Sequence, residues 1–259
     1  MPTALVTGAS SGLGLELATL LARGRHDVVL VARRKDRLEN VARGLAEEFG
    51  VRATALPADL ARREAPGEIV RELETRGLVI DVLVNDAGFG AHGHFAETPL
   101  ENALEMIQVN VAALVELTRR LLPGMLERRR GRILNLASTA AFQPGPLMAV
   151  YYASKAFVLS FSEALANETA GTGVTVTTLC PGPIATEFQK RAGVEKTALF
   201  TGPLVVDAPA AALAGYRGLM RGQRLVIPGV ANKVLVQALR VTPRRLVTAV
   251  ARRIQENRN

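Results

Sequence analysis

Thr7-Gly8-Ala9-Ser10-Ser11-Gly12-Leu13-Gly14 is the stretch on which the fold turns. It follows Ala4 to Thr7, which reads as a short buried strand, and it runs into a helical pattern from Ser11 to Arg23. Glycines at such a junction let backbone approach a bound anion closely, while the start of the helix offers free N–H groups and a partial positive charge. A Gly-x-x-x-Gly-x-Gly spacing alone is weak, and it differs from the Gly-x-Gly-x-x-Gly of many dinucleotide-binding folds. The strand before it and the helix after it make it a strong signal for phosphate.

Outward from this stretch, short β-branched or Leu-rich runs alternate with longer amphipathic ones, the pattern of βαβ units. The predicted strands are Ala4 to Thr7, Asp27 to Ala32, Arg52 to Pro57, Asp81 to Asn85, Arg132 to Ala137, Thr175 to Leu179 and Arg224 to Ile227. Their near-continuous hydrophobicity calls for cover on both faces. Helices are predicted over Ser11 to Arg23, Lys35 to Glu48, Gly67 to Arg76, Leu100 to Glu127, Val150 to Thr169 and Ala208 to Arg221. The expected fold is therefore α/β: a doubly wound, seven-stranded parallel sheet in one domain over residues 1–259, with its ligand crevice at the carboxyl ends of the strands.

Composition narrows the function. The 259 residues suit one such domain, without linkers, repeats or low-complexity tracts. The start of the chain reads as a strand rather than a targeting segment, and no apolar run approaches the ~20 residues of a membrane span. The lone Cys180 excludes an internal disulfide, fits a reducing cytoplasm and reads as a small buried hydrophobe. A net charge of +8 invites nucleic acid, but the chain has no Trp and no recognised nucleic-acid motif. Six of those charges lie in the tail, where Lys233, Arg240, Arg244, Arg245, Arg252, Arg253 and Arg258 face only Glu256. No metal is expected, because a His92-x-His94 pair near Asp86 lacks further ligands; these histidines read as lining the cleft mouth, and His26 as surface.

Two further places carry chemistry. At the end of the second strand an acidic residue would select NAD by binding the ribose 2′-OH, yet the chain reads Ala32-Arg33-Arg34-Lys35. Guanidinium groups favour phosphate through fork-shaped, charge-assisted bonds, so NADP(H) is expected over NAD(H). The second place is Tyr151 and Lys155, one helical turn apart, with Ser138 thirteen residues upstream. A lysine ~4 Å from a phenol attracts the phenolate by about 4 kcal/mol at an effective dielectric of ~20, enough to bring a pKa near ~10 down toward ~7. A tyrosine so placed works as a general acid or base. Tyr152, three residues from Lys155, competes for that role on spacing alone.

Together these residues make the chain resemble the short-chain dehydrogenase/reductase family in its single-domain form. Gly8, Gly12 and Gly14 match the family's glycine motif, with Ser10, Ser11 and Leu13 between them; Asp59-Leu60 matches the acid that contacts adenine. Asn85-Asp86-Ala87-Gly88 resembles the usual Asn-Asn-Ala-Gly, with Asp86 a departure. Asn110 matches a mid-helix asparagine of the proton relay, and Pro181-Gly182-Pro183-Ile184-Ala185-Thr186 the segment at the nicotinamide end. The resemblance makes Asn110, Ser138, Tyr151 and Lys155 the catalytic set and settles on Tyr151 over Tyr152. It implies hydride transfer between nicotinamide and a carbonyl or alcohol carbon. It also implies a homodimer or homotetramer paired through the long helices. A non-catalytic NADPH-binding regulator on the same fold is the alternative, but such a protein would have lost part of that set.

Residues 185–206 read as a lid carrying Phe188, Leu199, Phe200 and Leu204, facing Phe89, Phe142, Leu147 and Met148 across the cleft. That lining favours an apolar ketone, aldehyde or secondary alcohol. In the tail, residues 230–259, Leu246, Val247, Val250 and Ile254 share one helix face opposite arginines. Such a helix can touch an anionic membrane weakly. The plainer reading, that it folds over the protein or a partner subunit, is preferred.

Overall fold

The computed structural model describes residues 1–184, 189, 192–194 and 204–256. Seven strands, β1 (Thr3–Thr7), β2 (Asp27–Ala32), β3 (Ala53–Pro57), β4 (Val82–Asn85), β5 (Gly131–Leu136), β6 (Val174–Leu179) and β7 (Leu225–Val226), form one parallel sheet in the order β3-β2-β1-β4-β5-β6-β7. Each lies within two residues of its predicted bounds.

The near-continuous apolar strands are explained by two separate packing layers. Ala4, Val6, Val28, Leu30, Val82, Val84 and Leu134 meet α1 (Gly12–Arg23), α2 (Lys35–Phe49) and α7 (Ala208–Met220). Leu5, Val29, Val31, Leu83 and Ile133 alternate with them and meet α3 (Ala65–Thr75), α5 (Ala113–Glu127) and α6 (Ala149–Glu168). Alternation of side chains along a strand therefore feeds both layers from one apolar run. Between β1 and β4 the strand order reverses direction, and the crevice opens there.

Three departures from the predicted elements matter for the site. The helix expected over Leu100 to Glu127 is α4 (Leu100–Ile107) and α5 joined by a π-turn, Gln108–Ala112, which carries Asn110. Asn110 is 1% exposed and holds the wide turn in place. Its Nδ2 donates to Phe89 O (2.9 Å), while its Oδ1 accepts from Phe89 N–H (3.0 Å). The tail is two helices, α8 (Val230–Val241) and α9 (Arg244–Gln255), because Pro243 forces Thr242 into extended backbone and breaks the run. His26, expected at the surface, is buried: Nδ1 lies 3.1 Å from Gly24 O, and burial lowers its pKa. Among the described residues no helix is long and apolar enough to cross a membrane.

Candidate active site

The cradle comes first. Gly8 (φ +71°) and Gly12 (φ +58°) take left-handed backbone as β1 turns into α1. Ser11, the N-cap of α1, makes no side-chain cap, and the first turn holds no acidic residue, so apart from the Asp86 carboxyl beside the Gly14 N–H the helix start is left to an anion from outside the chain. Gly8, Ser10, Ser11, Gly12 and Leu13 line a cleft of about 760 Å³. Gly14 does not line it. A Cβ there would stand 2.6 Å from both Gly8 O and Asp86 Oδ2, so glycine lets the loop close on the tip of β4.

Arg33, Arg34, Asp59 and Leu60 lie on the same cleft, at the ends of β2 and β3. Arg34 Nη2 reaches Ser11 Oγ (3.3 Å) and Ser10 Oγ (3.4 Å), while Arg33 faces Glu105 of α4 at 3.9 Å. Asp59 Oδ1 accepts from Ala61 N–H (3.1 Å). A helix start without a Ser11 side-chain cap, two guanidinium groups and no carboxylate closing β2 form a donor set that fits a phosphorylated dinucleotide. Ala87, Gly88, Pro181, Gly182 and Ile184 continue the lining. Thr186 lies outside the described residues, as do Phe188, Leu199 and Phe200.

At the inner end, α6 brings Tyr151 and Lys155 onto the cleft opposite Ser138. The Ser138 hydroxyl stands beside the Tyr151 phenol, where it favours the phenolate. Ser138 Oγ is itself fixed by accepting from Ala140 N–H (3.1 Å) and by Pro181 O at 3.4 Å. The electrostatics correct one expectation. Lys155 was expected to pull the phenol down, but burial raises the Tyr151 pKa above its ordinary value, and only the Ser138 hydroxyl opposes this. The Lys155 ammonium is spent elsewhere: it donates to Leu136 O (2.8 Å) and stands 5.9 Å from the Tyr151 ring centre. Lys155 is 4% exposed, and burial lowers it to about 8 against the pull of Asp86. The phenol is accordingly held as the acid.

Besides Gly14, two predicted site residues stand behind the cleft rather than on it. Asn110 Nδ2 lies 3.1 Å from Ser154 Oγ, which donates to Tyr151 O (2.7 Å). Gly88 leaves room for this group, because a Cβ there would stand 3.1 Å from Asn110 Oδ1 and 3.5 Å from Lys155 Nζ. Asn85, expected at the cofactor, instead braces the sheet: Nδ2 donates to Asn135 Oδ1 (2.8 Å) and Thr118 Oγ1 (3.1 Å). Leu204 of the predicted lid lines the cleft, and of the four apolar residues predicted across from it Met148 does. Phe89 packs at the Asn110 turn, Phe142 in an inner cluster with Cys180, and Leu147 in a small separate pocket.

Most of the outer wall comes from the tail. Leu235 and Leu239 of α8 and Leu246, Val247, Val250 and Ile254 of α9 line the cleft. Gln255, 1% exposed, anchors this wall: Nε2 donates to Tyr152 Oη (2.5 Å), and its carbonyl lies 2.7 Å from His92 Nε2. Tyr152, edge-on to Tyr151 with ring centres 6.0 Å apart, is therefore both lining and anchor. The shared apolar face of α9 announced the wall in the sequence, but no local signal announced Gln255. His92 serves the anchor rather than the mouth, and His94 is exposed.

A model of the short chain dehydrogenase family matches residues 2–196. The very-long-chain 3-oxoacyl-CoA reductase of Anas platyrhynchos is 39% identical over 191 residues, which are 72% of this chain and 61% of the duck protein; the chain thus spans less than two thirds of that relative. A short-chain dehydrogenase from Sphingobium yanoikuyae in complex with NADPH superposes with a TM-score of 0.82 at 34% identity, over 95% of this chain and 97% of that one. The bulky-bulky ketone specific alcohol dehydrogenase from Comamonas testosteroni superposes with a TM-score of 0.78 at 30% identity, over 93% and 92%. The matched model covers the cradle, Ser138, Tyr151 and Lys155 alike, and the chain belongs to the short-chain dehydrogenase family.

Proposed function

We propose that the protein is an NADP(H)-dependent oxidoreductase that interconverts an apolar ketone or aldehyde with the matching alcohol. The observation that carries this reading is the juxtaposition of the Ser138 and Tyr151 hydroxyls at the inner end of a cleft whose other end is a helix start without a Ser11 side-chain cap. Gly8 to Leu13 would hold the pyrophosphate, Arg33 and Arg34 the 2′-phosphate, Asp59 and Leu60 the adenine, and Lys155 with Gly182 and Ile184 the nicotinamide end. The NADPH in the Sphingobium relative supports the cofactor. When bound, the nicotinamide supplies or accepts the hydride.

The chain's own residues handle the proton and the charge. In the reducing direction, the Ser138 and Tyr151 hydroxyls both donate to the substrate carbonyl oxygen, where negative charge grows. Tyr151, kept protonated by burial, then gives its proton to that oxygen. Lys155 places a positive charge beside the phenolate left behind, which its 5.9 Å separation from the ring allows. Asn110, through Ser154, fixes the backbone of Tyr151. The tail wall excludes water and selects apolar substrates. A ketone flanked by bulky groups and a 3-oxoacyl chain both suit that wall, in line with the names of the Comamonas and duck relatives.

NADPH oxidation measured against a panel of apolar carbonyls tests the reading, with Tyr151→Phe as control. Turnover in that variant should fall by roughly 10²- to 10⁴-fold, the usual share of a general acid, with cofactor affinity retained. Near-normal turnover in Tyr151→Phe would refute the assignment.

A further inference from the structure

Asp86 has no part in the steps above, although it stands inside the cradle. It follows β4, and its N–H donates to Thr7 Oγ1 (3.1 Å). Its carboxyl accepts from the N–H of Gly14, the third residue of α1. Its Oδ2 also lies 2.6 to 2.7 Å from where a Cβ at Gly14 or Gly8 would be, so the group is wedged between two of the three motif glycines. Its other oxygen, Oδ1, is buried with no hydrogen-bond partner among the described residues. The pattern that the chain resembles has an uncharged asparagine here.

An asparagine both accepts and donates, whereas a carboxylate only accepts; protonated, the carboxyl regains a donor and loses its charge. The surroundings press in that direction. Burial raises the acid to about 7, against the pull of Lys155 on α6 and of the Gly14 N–H. The other charged groups of the cleft are Arg33 and Arg34 after β2, Asp59 after β3 and Glu105 on α4. Thr7, from β1, presents only a hydroxyl. An anion seated on the start of α1 would be a second negative charge beside the first, and like charges this close favour the protonated acid.

Resting on the reading that this cleft holds NADP(H), we propose that Asp86 takes up one proton when the dinucleotide seats, so that the cradle binds its pyrophosphate only with a neutral carboxyl. Asp86 is thus a cofactor-positioning residue that the asparagine pattern does not supply. Binding is strongest below neutrality and weakens toward tenfold per pH unit above it. Between pH 6.0 and 7.5 the expected loss of affinity due to Asp86 is roughly fourfold.

The test is titration calorimetry of NADPH and NADP⁺ binding to the full chain, in buffers of different ionisation enthalpy, for wild type, Asp86→Asn and Asp86→Ser. The cofactor's own phosphates titrate alike with every protein, so the difference between proteins isolates residue 86. Wild type at pH 7.5 should take up about 0.8 of a proton more per dinucleotide than either variant, and the variants should lose the roughly fourfold decline. Equal proton uptake in wild type and a folded variant overturns the inference while leaving the functional reading intact. Absence of binding to wild type at pH 6.0 overturns both. If neither variant folds, wild type alone decides: net proton release on binding at pH 7.5 overturns the proposal, and net uptake beyond that of the free phosphate supports it.

Discussion

Burial acts on Tyr151 and Lys155 with opposite sign, because one is neutral as an acid and the other charged. It raises the phenol and lowers the ammonium to about 8, so near neutrality both carry their proton. Reduction needs both: Tyr151 as donor, Lys155 as the charge beside the departing phenolate. We expect kcat for reduction, at saturating cofactor, to be level at low pH and then to fall toward tenfold per unit as Lys155 loses its proton, at or below about 8 because a neutral Asp86 no longer holds the ammonium. A pH–rate profile that stays level to pH 9.5 would show that Lys155 keeps its charge. The spacing of these residues was plain in the sequence; the direction of the phenol's shift was not. A charge pair can be read from neighbours four apart, but desolvation is the work of everything that folds over them.

At the scale of elements, α9 has the largest influence on the substrate end. Val247 and Ala251 are buried while Leu246, on the same cleft wall, stays 59% exposed, so the wall runs from a buried edge to one open to solvent. Its position depends on Gln255, whose bond to Tyr152 spans 103 residues of sequence. Gln255→Ala leaves Tyr152 Oη and the cleft wall without their tie, and is expected to raise KM for a long apolar substrate about tenfold, the equivalent of roughly 1.4 kcal/mol, with little change in NADPH affinity. Steady-state kinetics beside a cofactor titration checks this, and parallel losses in both would point to general unfolding instead. The helices of the sheet were legible because apolar periodicity and glycine junctions are local. Pro243 marks the break between α8 and α9 just as locally, although the tail was read without it, and the anchor was not legible at all, since buried glutamine and surface glutamine look alike in a sequence.

Across the whole molecule, a line of buried amides and hydroxyls crosses the sheet beneath the site. Asn85 links Thr118 of α5 to Asn135 of β5, Asn135 Nδ2 donates to Ser162 Oγ (2.9 Å), and Ser162 donates to Val158 O (2.6 Å) on α6. The parallel register sets Asn85 directly against Asn135, which is what allows the line to form. Asn85→Ala takes the donor from Asn135 Oδ1 and Thr118 Oγ1 and should cost roughly 1–3 kcal/mol, the penalty of unsatisfied buried polar groups. Urea unfolding measures that loss; an unchanged midpoint would mean that the line carries no load. The family resemblance located Asn85 but gave it to the cofactor, because a motif records which residues recur and not which way they face.

The π-turn at Gln108–Ala112 carries one residue more than an ordinary helical turn would. Wound as an ordinary helix, the same residues would carry that surplus forward and rotate everything on one side of it by about 100° relative to the other. The Asn110 amide would swing away from Phe89, and the faces of α4 and α5 would no longer meet the same layers. The surplus residue thus acts as a phase setting: it fixes how two helical segments are clocked against each other. An insertion or deletion counted as a single event along the chain would be felt at both the sheet and the proton-donating end of the cleft.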